Sequence, residues 1–84
     1  FQPDFPVVDG DRVVGVLTRD GLMHGLATDG PSAPAGRFMR TDFATAAPTE
    51  MLDRALARLQ EGGCPVLPVL AADGRLAGLL TAEN

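Results

Sequence analysis

The chain has 84 residues, 45% of them apolar, and a formal net charge of -4, values of an ordinary globular domain and not of a disordered tail. Its seven basic residues are all arginine and are scattered among acidic neighbours, so they form no stripe that would release counterions from a nucleic-acid backbone. No apolar run approaches the ~20 residues of a membrane span and no basic segment leads into an apolar one, so the expectation is one small cytoplasmic domain burying only roughly 60 to 65% of its unfolded surface.

In chain order, Phe5-Pro6-Val7-Val8 and residues 12–17 are β-rich runs. Asp9-Gly10-Asp11 between them has the composition of a tight hairpin turn. The runs are nearly continuous in apolar character, which predicts strands covered on more than one face. Thr18 stands where a helix N-cap belongs, with Asp20 in the first turn and Leu22, Met23, Leu26 and Ala27 as the apolar face. Asp29-Gly30-Pro31 ends that helix. Residues 31–36, Pro-Ser-Ala-Pro-Ala-Gly, are linker-like.

Beyond the linker, residues 37–40 read as a single helical turn and 43–46 as a short strand stopped by Pro48. Thr49 is placed to cap a helix whose Met51, Leu52, Ala55, Leu56 and Leu59 form a core cluster, with Asp53, Arg54 and Arg58 on the other face. Gly62-Gly63 stops it. Residues 66–70 and 75–80 then make a second hairpin across Ala71-Ala72-Asp73-Gly74. Cys64 reads as a small apolar residue near a helix end, since a lone cysteine far from the single histidine makes no catalytic pair. His24 has no ligand-type residue at i+4 and reads as surface, so no metal site is expected.

The two hairpins repeat one pattern. Phe5-Pro6-Val7-Val8 returns as Leu67-Pro68-Val69-Leu70, and Gly15-Val16-Leu17-Thr18 returns as Gly78-Leu79-Leu80-Thr81. A duplicated unit predicts two related half-sites across a pseudo-twofold axis. The expected fold is α+β, with small three-stranded sheets packed on helices. Residues 1–30 would hold the strand-strand-helix end of the first unit, 31–36 the linker, and 37–84 a strand-helix-strand-strand unit without its last helix.

The apolar-Pro-Val-apolar runs, the Gly/Asp turns, the Gly-apolar-apolar-Thr runs and the intervening Met39, Thr45 and Pro48 resemble the CBS domain. That domain usually occurs as a tandem pair, the Bateman module. The resemblance implies a non-catalytic regulatory module that takes AMP, ADP, ATP or S-adenosylmethionine between paired sheets, forms dimers through helical faces, and acts on a fused enzyme, channel or transporter. The runs around Asp4 to Gly10, Gly63 to Val69 and Leu79 to Asn84 also look like the C-terminal CBS region of bacterial site-2-protease-type membrane metallopeptidases. No His-Glu-x-x-His zinc motif occurs here, so that resemblance places any protease activity in another domain.

The family's ligand motif is glycine, two apolar residues, Thr or Ser, two free positions, then Asp or Asn. Glycine permits close approach, the hydroxyl caps a helix whose amides can hold phosphate, and the last residue grips ribose. Carried onto this chain, the ligand-binding candidates are Thr18, Arg19, Gly78, Thr81 and Asn84. The second copy matches throughout, as Gly78-Leu79-Leu80-Thr81-Ala82-Glu83-Asn84, whereas the first has Gly21 at the ribose position. Asp20 lies one residue early, about 100° away on a helix. Thr18 and Thr81 also have a purely structural reading as N-caps. Two functions therefore stand side by side: an adenosine-sensing module, and a ligand-free dimerisation module. A free-standing enzyme is disfavoured, because no nucleophile, base and orienting group can be assembled.

Overall fold

The computed structural model describes residues 4–63 and 66–81. Cys64 and Asn84 lie outside that range. The elements are β1 (Phe5–Asp9), β2 (Arg12–Leu17), α1 (Arg19–Thr28), a 3-10 turn (Ala35–Arg37), α2 (Leu52–Glu61), β3 (Val66–Leu70) and β4 (Leu76–Thr81).

The duplication survives in the register. In the first hairpin Phe5 faces Leu17, Pro6 faces Val16 and Val7 faces Gly15. In the second, Leu67 faces Leu80, Pro68 faces Leu79 and Val69 faces Gly78. Both ladders slip at the same place, between Val7 and Val8 and between Val69 and Leu70, which leaves Val14 and Ala77 as the extra residues of two matching bulges. Both turns use a glycine with positive φ, Gly10 at 64° and Gly74 at 89°, a conformation nearly free of cost only for glycine. The copies meet at equivalent residues. Arg12 bridges Arg75, the Leu76 N–H donates to the Asp11 carbonyl at 3.1 Å, and Val16 and Leu79 pack in one cluster with Val66 and Phe43. The pseudo-twofold axis runs through these contacts.

The sheets differ from the expected three strands: among the described residues each ladder has two. The third place is held by a single bridge. Arg40 exchanges both main-chain hydrogen bonds with Val16, at 2.9 and 2.8 Å. Ala46 donates to the Pro68 carbonyl at 2.9 Å and accepts from Leu70 at 2.8 Å. Residues 43–46 are therefore not a strand. Phe43 and Ala44 instead turn toward the two core clusters, and only Ala46 reaches the ladder.

The single helical turn falls at Ala35–Arg37 instead of 37–40. Residues 31–36 do not hang free, because Pro31, Ala33, Pro34 and Ala35 lie along α1 over an apolar cavity of about 140 Å³. Arg37 closes the segment by pairing with Asp29 at 2.8 Å.

The α2 cap also differs. Met51, not Thr49, is the N-cap residue, and it supplies no side-chain acceptor. The Glu50 N–H donates to the Ala47 carbonyl at 3.0 Å and the Ala47 N–H donates to Glu50 Oε1 at 3.3 Å. That reciprocal turn holds Pro48 and Thr49 outside the helix. The other Glu50 oxygen pairs with Arg58 at 3.2 Å, and Arg58 donates to the Thr45 carbonyl at 2.6 Å, tying α2 to the incoming chain.

One core cluster joins Ala46, Ala55, Leu59 and Leu67, with Ala44, Val69 and Leu80 against it. From α2 only Ala55 and Leu59 are buried, while Met51, Leu52 and Leu56 are 70%, 77% and 53% exposed. The expected five-residue core is therefore a two-residue core beside an open apolar stripe, because β3 covers one line of the helix only. The α1 face is equally bare at Met23 and Leu26, with Gly25 its one buried residue. In the strands β3 begins fully buried and β2 buries Gly15 and Val16, whereas Phe5, Val8 and Val14 are exposed and β4 has no buried residue, so the expectation of doubly covered strands holds only at the start of β3 and the end of β2.

Candidate functional site

A polar cleft lies at the start of α1. β2 ends at Leu17 and the chain passes through Thr18 in an extended conformation before the helix begins. As expected, Thr18 is the N-cap: its Oγ1 accepts from the Gly21 N–H at 3.1 Å. The Arg19 N–H, first of the helix, donates to Asp4 Oδ1 at 3.0 Å. Two otherwise unmatched N–H groups are thus satisfied, one by the cap residue and one by a carboxylate delivered from the entry to β1.

The second copy supplies the opposite wall. Arg40 is fixed through its main chain to Val16, and its guanidinium donates to the Gly63 and Gly62 carbonyls at 3.3 and 3.5 Å and to the Asp42 carboxylate at 3.3 and 3.4 Å. A cation there satisfies carbonyls left over at the C-terminus of α2 and complements the helix dipole. The Asp42 carboxyl is held below its ordinary range, chiefly by the Arg40 hydrogen bond and then by its own backbone and the Arg40 charge. The contact is therefore complete above the ordinary carboxylate value and is lost as acid titrates Asp42 through its lowered one. Asp4, Thr18, Arg19, Asp20, Arg40 and Gly63 line a cleft of about 380 Å³, near the lower end of small-molecule sites.

Thr18 and Arg19 thus come together, joined by Asp4 and Arg40, which sequence reasoning passed over. Asp4 sits one residue before a strand and Arg40 pairs with carbonyls 22 and 23 residues away, so no local spacing marks either. Gly78 and Thr81 lie apart from this cleft, on β4. Thr81 pairs with Val66 in the ladder and is exposed; its strand runs one residue further than β2, which stops before Thr18. Asn84 lies outside the described residues.

The glycines separate the two half-sites. A Cβ on Gly15 would meet Met39 and lie 2.9 Å from the Arg40 carbonyl oxygen. One on Gly21 would lie 2.8 Å from the Phe38 carbonyl oxygen. The entry of the second copy therefore closes over the first copy's motif, including its ribose-side position. A Cβ on Gly78, the counterpart of Gly15, meets no described residue within 4 Å. Among the described residues no group of three or more His, Cys, Asp or Glu is placed to hold a metal, and no helix is long and apolar enough to cross a membrane.

Two bulged hairpins related by a pseudo-twofold axis, with a helix N-terminus opening between the copies, define a class of paired α+β modules. The family model for the CBS domain matches residues 35–84, and the chain belongs to that family. The fold of the whole chain is that of a CBS pair. It is similar to CBSX2 from Arabidopsis thaliana, at 27% identity and TM-score 0.81, over 94% of this chain and 64% of that one. It is similar to protein MJ1004 from Methanocaldococcus jannaschii, at 27% identity and TM-score 0.81, over 93% of this chain and 39% of that one. The CBS pair of protein MJ0100, solved with 5′-methylthioadenosine and S-adenosyl-L-methionine, matches at 23% identity and TM-score 0.81, over 96% and 64% of the two chains. This chain thus spans less than two thirds of each. CBS domains are in general regulatory and not catalytic.

Proposed function

We propose that this CBS pair senses an adenosine-containing ligand and passes its occupancy to a fused partner. The observation that carries this reading is the cleft of about 380 Å³ at the α1 N-terminus, where Thr18 and Arg19 of one copy meet Arg40 and Gly63 of the other. Its second half-site would use Gly78, Thr81 and Asn84. The ligands observed in the MJ0100 pair, 5′-methylthioadenosine and S-adenosylmethionine, support adenosine as the common element, with AMP, ADP and ATP the other candidates. Its domain limits would be 1–30, 31–36 and 37–84, with the Arg12 to Arg75 bridge joining the two copies. The host inferred from the runs around Asp4 and Gly63 is a bacterial site-2-protease-type metallopeptidase, with this module on its cytoplasmic face; a multi-span upstream segment bearing His-Glu-x-x-His would support that host.

Calorimetry and thermal melts with each adenosine compound test the ligand. At 100 Kd a true ligand adds about 2.7 kcal/mol of stability. Gly78→Ala is the informative variant: with no described residue within 4 Å of the new methyl and no positive φ to relieve, stability should move by less than about 0.5 kcal/mol. Weaker ligand binding in that variant then reports on the site and not on the fold. Failure of every compound to shift the melt or give heat would remove the adenosine reading.

The open stripe of Met51, Leu52 and Leu56 favours a second role, self-association. An exposed apolar patch on so small a chain is satisfied by a second copy across a twofold axis. Light scattering is expected to give a dimer mass at micromolar concentration, and Leu52→Ser with Leu56→Ser is expected to return it to monomer. A parent chain already monomeric there would discard this role.

A further inference from the structure

We infer that Asp4 sets the ligand class of the cleft at the α1 N-terminus, selecting an adenosine whose 5′ substituent is neutral or cationic and turning away a 5′ phosphate. This rests on the adenosine reading above. A helix N-terminus is ordinarily a place for phosphate, because its free amides and the positive end of its dipole face the anion. Here that place already holds an anion. The Arg19 N–H donates to the Asp4 carboxylate at 3.0 Å and the Gly21 N–H is taken by Thr18. An incoming phosphate must displace Asp4 or sit beside it, with Asp20 a second carboxylate on the same wall.

The arginines do not reverse this balance. The Arg40 guanidinium is engaged by the Asp42 carboxylate and by the Gly62 and Gly63 carbonyls, so recruiting it costs contacts that hold the second copy. Arg19 remains, facing Asp4 and Asp20 in the same lining. The Asp4 and Asp20 carboxylates beside the Arg19 guanidinium disfavour a phosphate at the helix amides, tolerate a thioether and attract a sulfonium. The ribose-side position points the same way. Gly21 brings no side chain, and the Phe38 carbonyl occupies the space one would need, so the 5′ group and the base must supply the discrimination.

The test follows the amide resonances of Arg19 and Gly21 in the full chain, which separates this cleft from the second half-site. The chain is titrated with 5′-methylthioadenosine, S-adenosylmethionine and AMP, and Asp4→Asn and Asp4→Ala are run in parallel. The expected result is at least tenfold weaker binding of AMP than of the thioether or the sulfonium, with that ratio falling at least tenfold in Asp4→Asn. AMP binding as tightly as the others, or an unchanged ratio in Asp4→Asn, overturns the assignment. Thermal melts in inorganic phosphate give a readout independent of adenosine. Phosphate should raise the melting temperature of the two variants and leave the parent unmoved. If no adenosine compound binds, the adenosine reading falls while those melts still judge Asp4: stabilisation confined to the variants upholds it as the built-in anion, and equal stabilisation of all three chains overturns it.

Discussion

Leu67→Ala is expected to remove about 2–5 kcal/mol of stability, the usual range for a buried leucine whose cavity cannot fully collapse. Leu67 is 1% exposed and sits among Ala46, Ala55 and Leu59, where β3, α2 and the incoming chain meet. A core of this size rarely supplies more than about 3–5 kcal/mol in total, so the variant should be largely unfolded at room temperature by circular dichroism. Phe5 is the built-in control. It occupies the equivalent register position, facing Leu17 as Leu67 faces Leu80, but it is 42% exposed. Phe5→Ala should therefore shift the urea midpoint far less, although the deleted side chain is larger. Equal losses at the two positions would mean that the first hairpin is covered as fully as the second.

That contrast shows which parts of the fold were legible. The hairpins, the Thr18 cap and the Gly62-Gly63 stop are local, because a turn with positive φ or an oxygen three residues before an amide is written in neighbouring residues. The pseudo-twofold axis was legible because repetition is visible without coordinates. What failed was decided across the chain. Residues 43–46 have strand composition, yet only Ala46 finds a ladder partner. Thr49 is a good capping residue, but Glu50 closes a turn around it first. Met51, Leu52 and Leu56 have the periodicity of a core, which tells that a face is apolar and not that the same chain covers it. At the candidate site, the Gly-apolar-apolar-Thr runs pointed to Thr18 and Arg19, whereas Asp4 and Arg40 enter through contacts between residues 15, 22 and 23 positions apart.

The largest expected effect at the site itself comes from trying to repair it. Gly21→Asn would restore the family's ribose-side residue in the first copy, and by motif alone it should create a second nucleotide grip. The structure leads to the opposite expectation. The new Cβ would lie 2.8 Å from the Phe38 carbonyl oxygen, and Phe38 cannot readily retreat. Its N–H is tied to the Ala35 carbonyl at 3.1 Å, and its ring lies so close to α1 that a Cβ on Gly25 would come within 2.9 Å of it. Overpacking of this kind costs about 1–3 kcal/mol, whereas asparagine in place of glycine recovers only about 0.3–0.5 kcal/mol of helix propensity. The balance is a net loss, read as a lower urea midpoint with no tighter nucleotide binding at the Arg19 amide. A repaired variant that kept full stability and gained affinity would show that the entry of the second copy yields. If it does not yield, glycine at position 21 follows from packing, because the chain's own backbone crosses the first motif at Phe38.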